Sequence, residues 1–129
     1  MSYAQLYYHF VFATKDRLPL VAHSWEDEMY RYLGGIIRGQ ECVPIEINGM
    51  PEHVHVLLRA SPVIAISDLM REIKANSSKW ARRIHEPKFG WQRRYGAFSV
   101  SEEGQMESDQ LPGTLETLIQ KPKDRLTRP

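Results

Sequence analysis

The run Pro51-Glu52-His53-Val54-His55-Val56-Leu57-Leu58 constrains the fold of this chain more than any other segment. Its period is two. Successive side chains of a strand point to opposite faces, so Val54, Val56 and Leu58 share one face while His53 and His55 share the other. The run therefore asks for a sheet with one apolar side and one side on which two imidazoles stand together. Two imidazoles at this spacing can grip one metal ion, because imidazole suits Mn, Zn, Fe or Ni and is tolerable in a mixed Mg site. A half-exposed strand with two histidines on its wet side gives the same pattern, so the spacing alone leaves both readings open.

The rest of the chain supplies the sheet. Ala4–Thr14 is apolar and aromatic and reads as a buried strand. Ser24 is a candidate helix cap, with Asp27 three residues on. Trp25, Met29, Tyr32, Leu33, Ile36 and Ile37 then recur at helical spacing, and Gly39 is placed to end that helix. Cys42–Asn48 alternates as a strand, Gly49-Met50-Pro51 reads as a turn, and Glu52–Arg59 is the histidine strand, making a hairpin. Ser67 is positioned to cap a second helix with the apolar stripe Ile66, Leu69, Met70, Ile73, Trp80 and Ile84. Pro87 and Gly90 break the chain, and Arg94–Ser101 reads as a fourth strand. The order β-α-β-β-α-β predicts an α+β, ferredoxin-like fold, an antiparallel sheet with two helices on one face.

Alternation assigns the faces. Phe10, Phe12, Ile45, Ile47, Val54, Val56, Leu58, Phe98 and Val100 are expected under the helices. Tyr7, His9, Glu46, Asn48, His53, His55, Tyr95 and Ser99 are expected on the open face. That set suits an active surface, a dimer contact, or both. With the first and third strands adjacent, His9 and Glu46 flank the histidine pair as possible further ligands, although His9 also fits as a polar residue of an interface.

Composition narrows the class. At 129 residues the chain is expected to be one domain; 26% charged and 42% hydrophobic residues are ordinary for a globular protein. A single cysteine, Cys42, excludes an intramolecular disulfide and a Cys-rich zinc site and fits a reducing cytoplasm. No apolar run approaches a membrane span, and no signal-peptide pattern opens the chain. The net charge of +1 conceals an asymmetry. Between Arg71 and Arg94 eight basic residues face only Glu72 and Glu86, whereas Glu26–Glu52 holds six acids against Arg31 and Arg38. A localised basic segment in a near-neutral chain points to a polyanion site, unless it is simply a solvated helix face. Arg71, Lys74, Lys79, Arg82, Arg83, Arg93 and Arg94 are the candidate phosphate contacts, with Trp91 and Tyr95 as stacking faces for unpaired bases.

Three separated motifs carry a family resemblance: Tyr8-His9-Phe10-Val11-Phe12-Ala13-Thr14-Lys15, Asn48-Gly49-Met50-Pro51-Glu52-His53-Val54-His55-Val56-Leu57-Leu58, and Trp91-Gln92 with Tyr95-Gly96-Ala97-Phe98-Ser99-Val100-Ser101. Together they resemble the single-tyrosine HUH transposases of small bacterial insertion sequences, to which the repeat-associated tyrosine transposases are related. The resemblance covers roughly residues 3–102 and suggests a division into a transposase-like domain, 1–102, and a divergent tail, 103–129. It implies binding of single-stranded DNA beside hairpins, one Mg or Mn ion on His53 and His55, and a homodimer. It also implies a nucleophilic tyrosine on a C-terminal helix that forms a 5′-phosphotyrosine, with a glutamine four residues later completing the metal site. That tyrosine is missing: none follows Tyr95, and Gln105, Gln110 and Gln120 lie four residues after no tyrosine. No catalytic nucleophile is identifiable. The sequence thus predicts a transposase-like protein that binds hairpin-flanked single strands for metal-dependent cleavage and transfer but is nicking-deficient. The alternatives are a catalytically inactive DNA-binding or repressor module of the same fold, and a ferredoxin-like dimer unrelated to nucleic acid.

Overall fold

A computed structural model gives the architecture and describes residues 6–100. The elements are β1 (Leu6–Ala13), α1 (Glu26–Gly39), β2 (Val43–Met50), β3 (His53–Ala60), α2 (Ile66–Ile84) and β4 (Gly96–Val100), with a short 3₁₀ turn at Lys15–Arg17. The sheet runs β2-β3-β1-β4, and every pairing is antiparallel. This is the ferredoxin-like plan expected from the sequence. The tail 103–129 and its missing tyrosine motif lie outside the described residues.

The core forms where the apolar stripe of each helix meets one side of the sheet. Phe10, Phe12, Val54, Val56 and Leu58 project from β1 and β3; Met29, Leu33 and Ile37 from α1 and Leu69, Met70 and Ile73 from α2 close over them, all essentially without solvent contact. Burying a side chain of this size contributes about 1.5–3 kcal/mol each. Trp80 belongs to this core, as its place in the α2 stripe implied: it stacks on Tyr32 at 4.6 Å and meets Trp25 edge-on.

The helix ends differ from expectation. α1 is preceded by Trp25, which makes no side-chain cap, so Ser24 and Asp27 form no capping box. α2 follows Ala65, and Ser67 falls inside the first turn instead of capping it. Gly39 remains helical. The chain reverses two residues later, at Glu41, whose φ is 63°. Its amide bonds the Arg38 carbonyl at 2.9 Å and the Cys42 amide bonds the Ile37 carbonyl at 3.1 Å, the Schellman pattern with glutamate in the left-handed position that glycine ordinarily takes.

Strand details differ too. β2 continues through Gly49 and Met50, so the hairpin turn falls at Pro51–Glu52. A bulge between Pro44 and Glu46 takes Ile45 out of the pairing and leaves it 49% exposed, not in the core. Gly49 passes so close to β3 that a Cβ there would strike the His53 carbonyl oxygen and come within 2.9 Å of the Val54 Cα. Only glycine permits that approach.

The largest correction concerns β4. Val11 pairs with Gly96, His9 with Phe98 and Tyr7 with Val100. Directly opposed residues share a face, so Phe98 and Val100 lie on the histidine side, while Ala97, Ser99 and the preceding Tyr95 fall on the helix side. A one-residue difference in register inverts a whole strand. β4 carries small or apolar residues on both faces, so its own alternation does not specify the choice. The pairing also places β1 in the sheet interior; among the described residues the edges are β2 and β4.

Candidate metal and nucleic-acid site

Three imidazoles form a diagonal row on the face away from the helices. Register fixes the row: Val11 pairs with His55 and Ala13 with His53 on one side of β1, and His9 lies two residues before Val11 on the same side. The His53 and His55 rings meet edge-to-face at 4.6 Å. The His9 ring stacks on His55 at 5.9 Å with 19° between planes. Phe98 covers the far side of His9 at 6.2 Å.

This face is less open than alternation implied. His9 and His55 are buried, and His53 keeps 16% of its side chain exposed. Neighbouring rings provide part of the cover. Both nitrogens of His9 are buried without a hydrogen-bond partner among the described residues. Burial lowers its pKa from 6.5 to about 4, which keeps the ring neutral near pH 7. At His53 the Nδ1 atom lies 3.3 Å from a Glu52 carboxylate oxygen, an arrangement that can orient the ring and leave Nε2 for another partner. Asn48 and Met50 flank the pair from β2, opposite His55 and His53, and Glu46 stands one step further along, opposite Leu57.

Among the described residues no three His, Cys, Asp or Glu side chains group closely enough to hold a metal. His53 and His55, whose rings meet, are the pair on this face that could hold a metal. Two adjacent imidazoles beside a carboxylate are donors that suit an ion whose other positions are taken by water or phosphate oxygen.

The end of the sheet that carries His53 is tied down by the segment leading into β4. The Thr14 amide bonds the Glu52 carbonyl at 2.9 Å, the Lys15 amide bonds that of Gly90 at 2.8 Å, and the Gln92 amide bonds that of Ala13 at 2.8 Å. Trp91 pairs with Thr14 in an antiparallel bridge. Its indole N–H donates to Ser77 Oγ at 2.9 Å, and its ring meets Phe12 and Phe89 edge-on. Trp91 is therefore a partly buried anchor between β1 and α2, not the free stacking face expected of it. It still lines one wall of an open cavity of about 590 Å³ with Lys15, Asp16, Gln92, Arg93 and Arg94.

The basic residues divide into two groups. Lys74 donates to the carbonyls of Gln92 and Arg93 and sits 5.5 Å above the Tyr95 ring; burial lowers its pKa. Arg82 donates to the Phe89 carbonyl at 3.2 Å. These two latch α2 to the segment after it. Arg71, Lys79 and Arg83 lie exposed along α2, with Arg71 held by Asp68 at 2.9 Å, and Arg93 and Arg94 are exposed before β4. Tyr95 lines a second open cavity of about 330 Å³ between α2 and β4 with Arg71, Lys74 and Arg93. It lies across the sheet from the histidines, so it is not the metal-face tyrosine that alternation suggested. Lys15, Thr14, Gly49 and Phe98 were not among the site residues read from sequence. Gly49 and Thr14 were visible only as parts of motifs, and their roles depend on backbone contacts.

Residues 2–109 match the family model described as "Transposase IS200 like". The chain belongs to the IS200-like transposase family. This IS200-like chain is 34% identical over 77 residues to the ISDra2 transposase TnpA of Deinococcus radiodurans, an alignment that takes in 58% of the chain and 54% of the relative. The chain thus spans about half the length of that curated relative. Among solved structures, a Deinococcus radiodurans R1 protein described as a "putative transposase" superposes with a TM-score of 0.71 at 25% identity, over 85% of this chain and 90% of that one. A REP-associated tyrosine transposase bound to a REP hairpin shares the fold at a TM-score of 0.58 and 18% identity, over 84% and 64%. Among the described residues no helix of the IS200-like chain is long and apolar enough to cross a membrane.

Proposed function

We propose that this IS200-like chain binds single-stranded DNA next to hairpins and holds one Mg or Mn ion on His53 and His55, without forming the covalent tyrosine adduct of a complete nicking cycle. One observation carries the reading. His53 pairs with Ala13 at the end of the sheet where the next residue, Thr14, bridges to Trp91, and the segments meeting at that bridge carry Lys15, Arg93 and Arg94, which line an open cavity. Cations on the segments that adjoin the histidine end of the sheet support a phosphate-bearing ligand there. Hairpin binding is stated of the REP-associated transposase that shares the fold.

When bound, the ion would polarise a phosphate oxygen. The chain's own groups orient and bind. Glu52 fixes the His53 ring, Arg93 and Arg94 attract the backbone, and the exposed α2 cations extend that attraction along the helix.

The nucleophile is the part this reading leaves out. None of residues 96–129 is a tyrosine, and Tyr95 itself lies on the helix side, against Lys74. Tyr7 is on the histidine face but pairs with Arg59, four residues along β1 from Val11, which pairs with His55. That is about 13 Å at strand rise, far from the roughly 3 Å that in-line attack needs. This favours the second reading, a DNA-binding or repressor module that does not cut.

The test is a nicking assay on hairpin-containing single strands with Mn, followed by denaturing capture of protein–DNA adducts. Binding without an adduct is the expected result. An adduct that survives denaturation and disappears in Tyr7→Phe would overturn it. A homodimer is part of the same proposal, with the exposed edge of β2 as the available strand; sedimentation as a monomer at micromolar concentration would exclude it. The proposed setting is cytoplasmic.

A further inference from the structure

His9 is the one member of the imidazole row whose chemistry is unaccounted for. It is wholly buried, and both nitrogens lack a hydrogen-bond partner among the described residues. Its surroundings are rings: His55 on one side and Phe98 on the other. A phenylalanine could stack in the same slot without two unsatisfied polar atoms, which are costly when buried. Packing therefore does not explain an imidazole there. A polar partner does, and the ring beside it belongs to the proposed metal site.

We propose that His9 is a positioning residue of the ion site, accepting a hydrogen bond from a water that the ion carries. The inference rests on the reading that His53 and His55 bind a divalent cation. Direct ligation by His9 is not the form it takes, because no three such side chains group as a ligand set among the described residues. The His9 ring stacks on His55 with centroids 5.9 Å apart, so its unpartnered nitrogens belong to the same neighbourhood as the proposed ligand pair, and water is the ion-borne group that an imidazole acceptor can hold. A neutral imidazole has one acceptor nitrogen for that water and one donor for another oxygen. The consequence is that β1, through His9, would help to hold the hydration of an ion on His53 and His55.

The experiment uses the full chain and Mn alone. Mn affinity is measured by calorimetry for the wild type, His53→Ala/His55→Ala, His9→Phe and His9→Asn, and each is melted without metal. His9→Phe should melt at a higher temperature, because it removes the orphaned nitrogens, yet bind Mn about 10–100-fold more weakly, the usual cost of losing a group that orients a metal site from outside it. His9→Asn should recover part of the affinity. A purely structural histidine would not move stability and affinity in opposite directions. A folded His9→Phe that binds Mn like the wild type overturns this inference and leaves the metal site standing. Absence of Mn binding in the wild type, or equal binding in the double alanine variant, overturns both. Should His9→Phe fail to fold, ring-nitrogen spectra of the wild type decide the matter. On titration with Mg the His9 signals should shift together with those of His53 and His55, and unmoved His9 signals overturn the inference.

Discussion

The backbone amide of Thr14 donates to the carbonyl oxygen of Glu52 at 2.9 Å, which joins the end of β1 to the residue just before His53. The Thr14 hydroxyl reinforces the joint, lying 2.5 Å from the Leu18 carbonyl and 3.1 Å from that of Glu52. Thr14 is fully buried. Thr14→Val preserves the shape and removes the hydroxyl, leaving the Leu18 and Glu52 carbonyls with their backbone donors alone. The expected loss is about 0.5–1.5 kcal/mol, read as a lower urea midpoint at unchanged slope. An unchanged midpoint would show that the hydroxyl contributes nothing.

His9 gives stability an acid limb. Its folded pKa, about 4, lies below the unfolded value of 6.5 because burial disfavours the charged ring. Between those values the unfolded chain binds the proton and the folded one resists it. The neutral ring is therefore no burden above pH 6.5, and stability falls as pH drops from 6.5 towards 4. In full the effect is roughly 3 kcal/mol. Denaturation curves of the wild type and His9→Phe should diverge over that window, with the variant losing less. Parallel curves would contradict the assignment.

The two groups of cations should respond differently to mutation. Arg93→Ala and Arg94→Ala are expected to weaken single-strand binding and each to lower the slope of log affinity against log salt by about 0.7. Lys74→Met should instead act on the fold, since its ammonium serves the Gln92 and Arg93 carbonyls. The expected sign is faster amide exchange in β4. A full salt-slope change in Lys74→Met with β4 protection intact would place Lys74 among the phosphate contacts.

Glu41 holds a left-handed backbone, φ 63°, at the end of α1. That conformation costs an L-residue about 1–2 kcal/mol and glycine very little. Glu41→Gly keeps the Schellman bonds and should raise stability by about 1 kcal/mol. A lower melting temperature would show that the glutamate side chain makes a contribution larger than the strain.

The fold was legible because its signals are local. The two-residue period of Val54, Val56 and Leu58 and the helical stripes of α1 and α2 each specify an element and its buried side, and together they leave little choice of plan. The pairing of His53 with His55 followed from the same period. What escaped were features set by a partner strand or by backbone geometry. β4 was read on the wrong face because Phe98 and Val100 resemble core residues, and only their pairing with His9 and Tyr7 shows otherwise. Ser24 and Ser67 look like caps, yet neither helix uses them. Lys74 reads as a phosphate contact in the sequence, which does not reveal that the Gln92 and Arg93 carbonyls lie within its reach. Trp91 likewise gave no sign of the Ser77 hydroxyl waiting for its indole.

The interior position of β1 imposes an order of assembly. Its neighbours, β3 and β4, are both made after it, and Tyr7 must wait for Val100 before its last pairing can form. At about 5–20 residues per second on a ribosome, that wait lasts roughly 5–19 s. The β2–β3 hairpin needs no distant segment, so His53 and His55 are brought side by side first. His9 joins when β1 docks on β3, and Phe98 closes over it last. A nascent chain halted before residue 96 can therefore hold all three imidazoles in register while the outer face of His9 is still open to water.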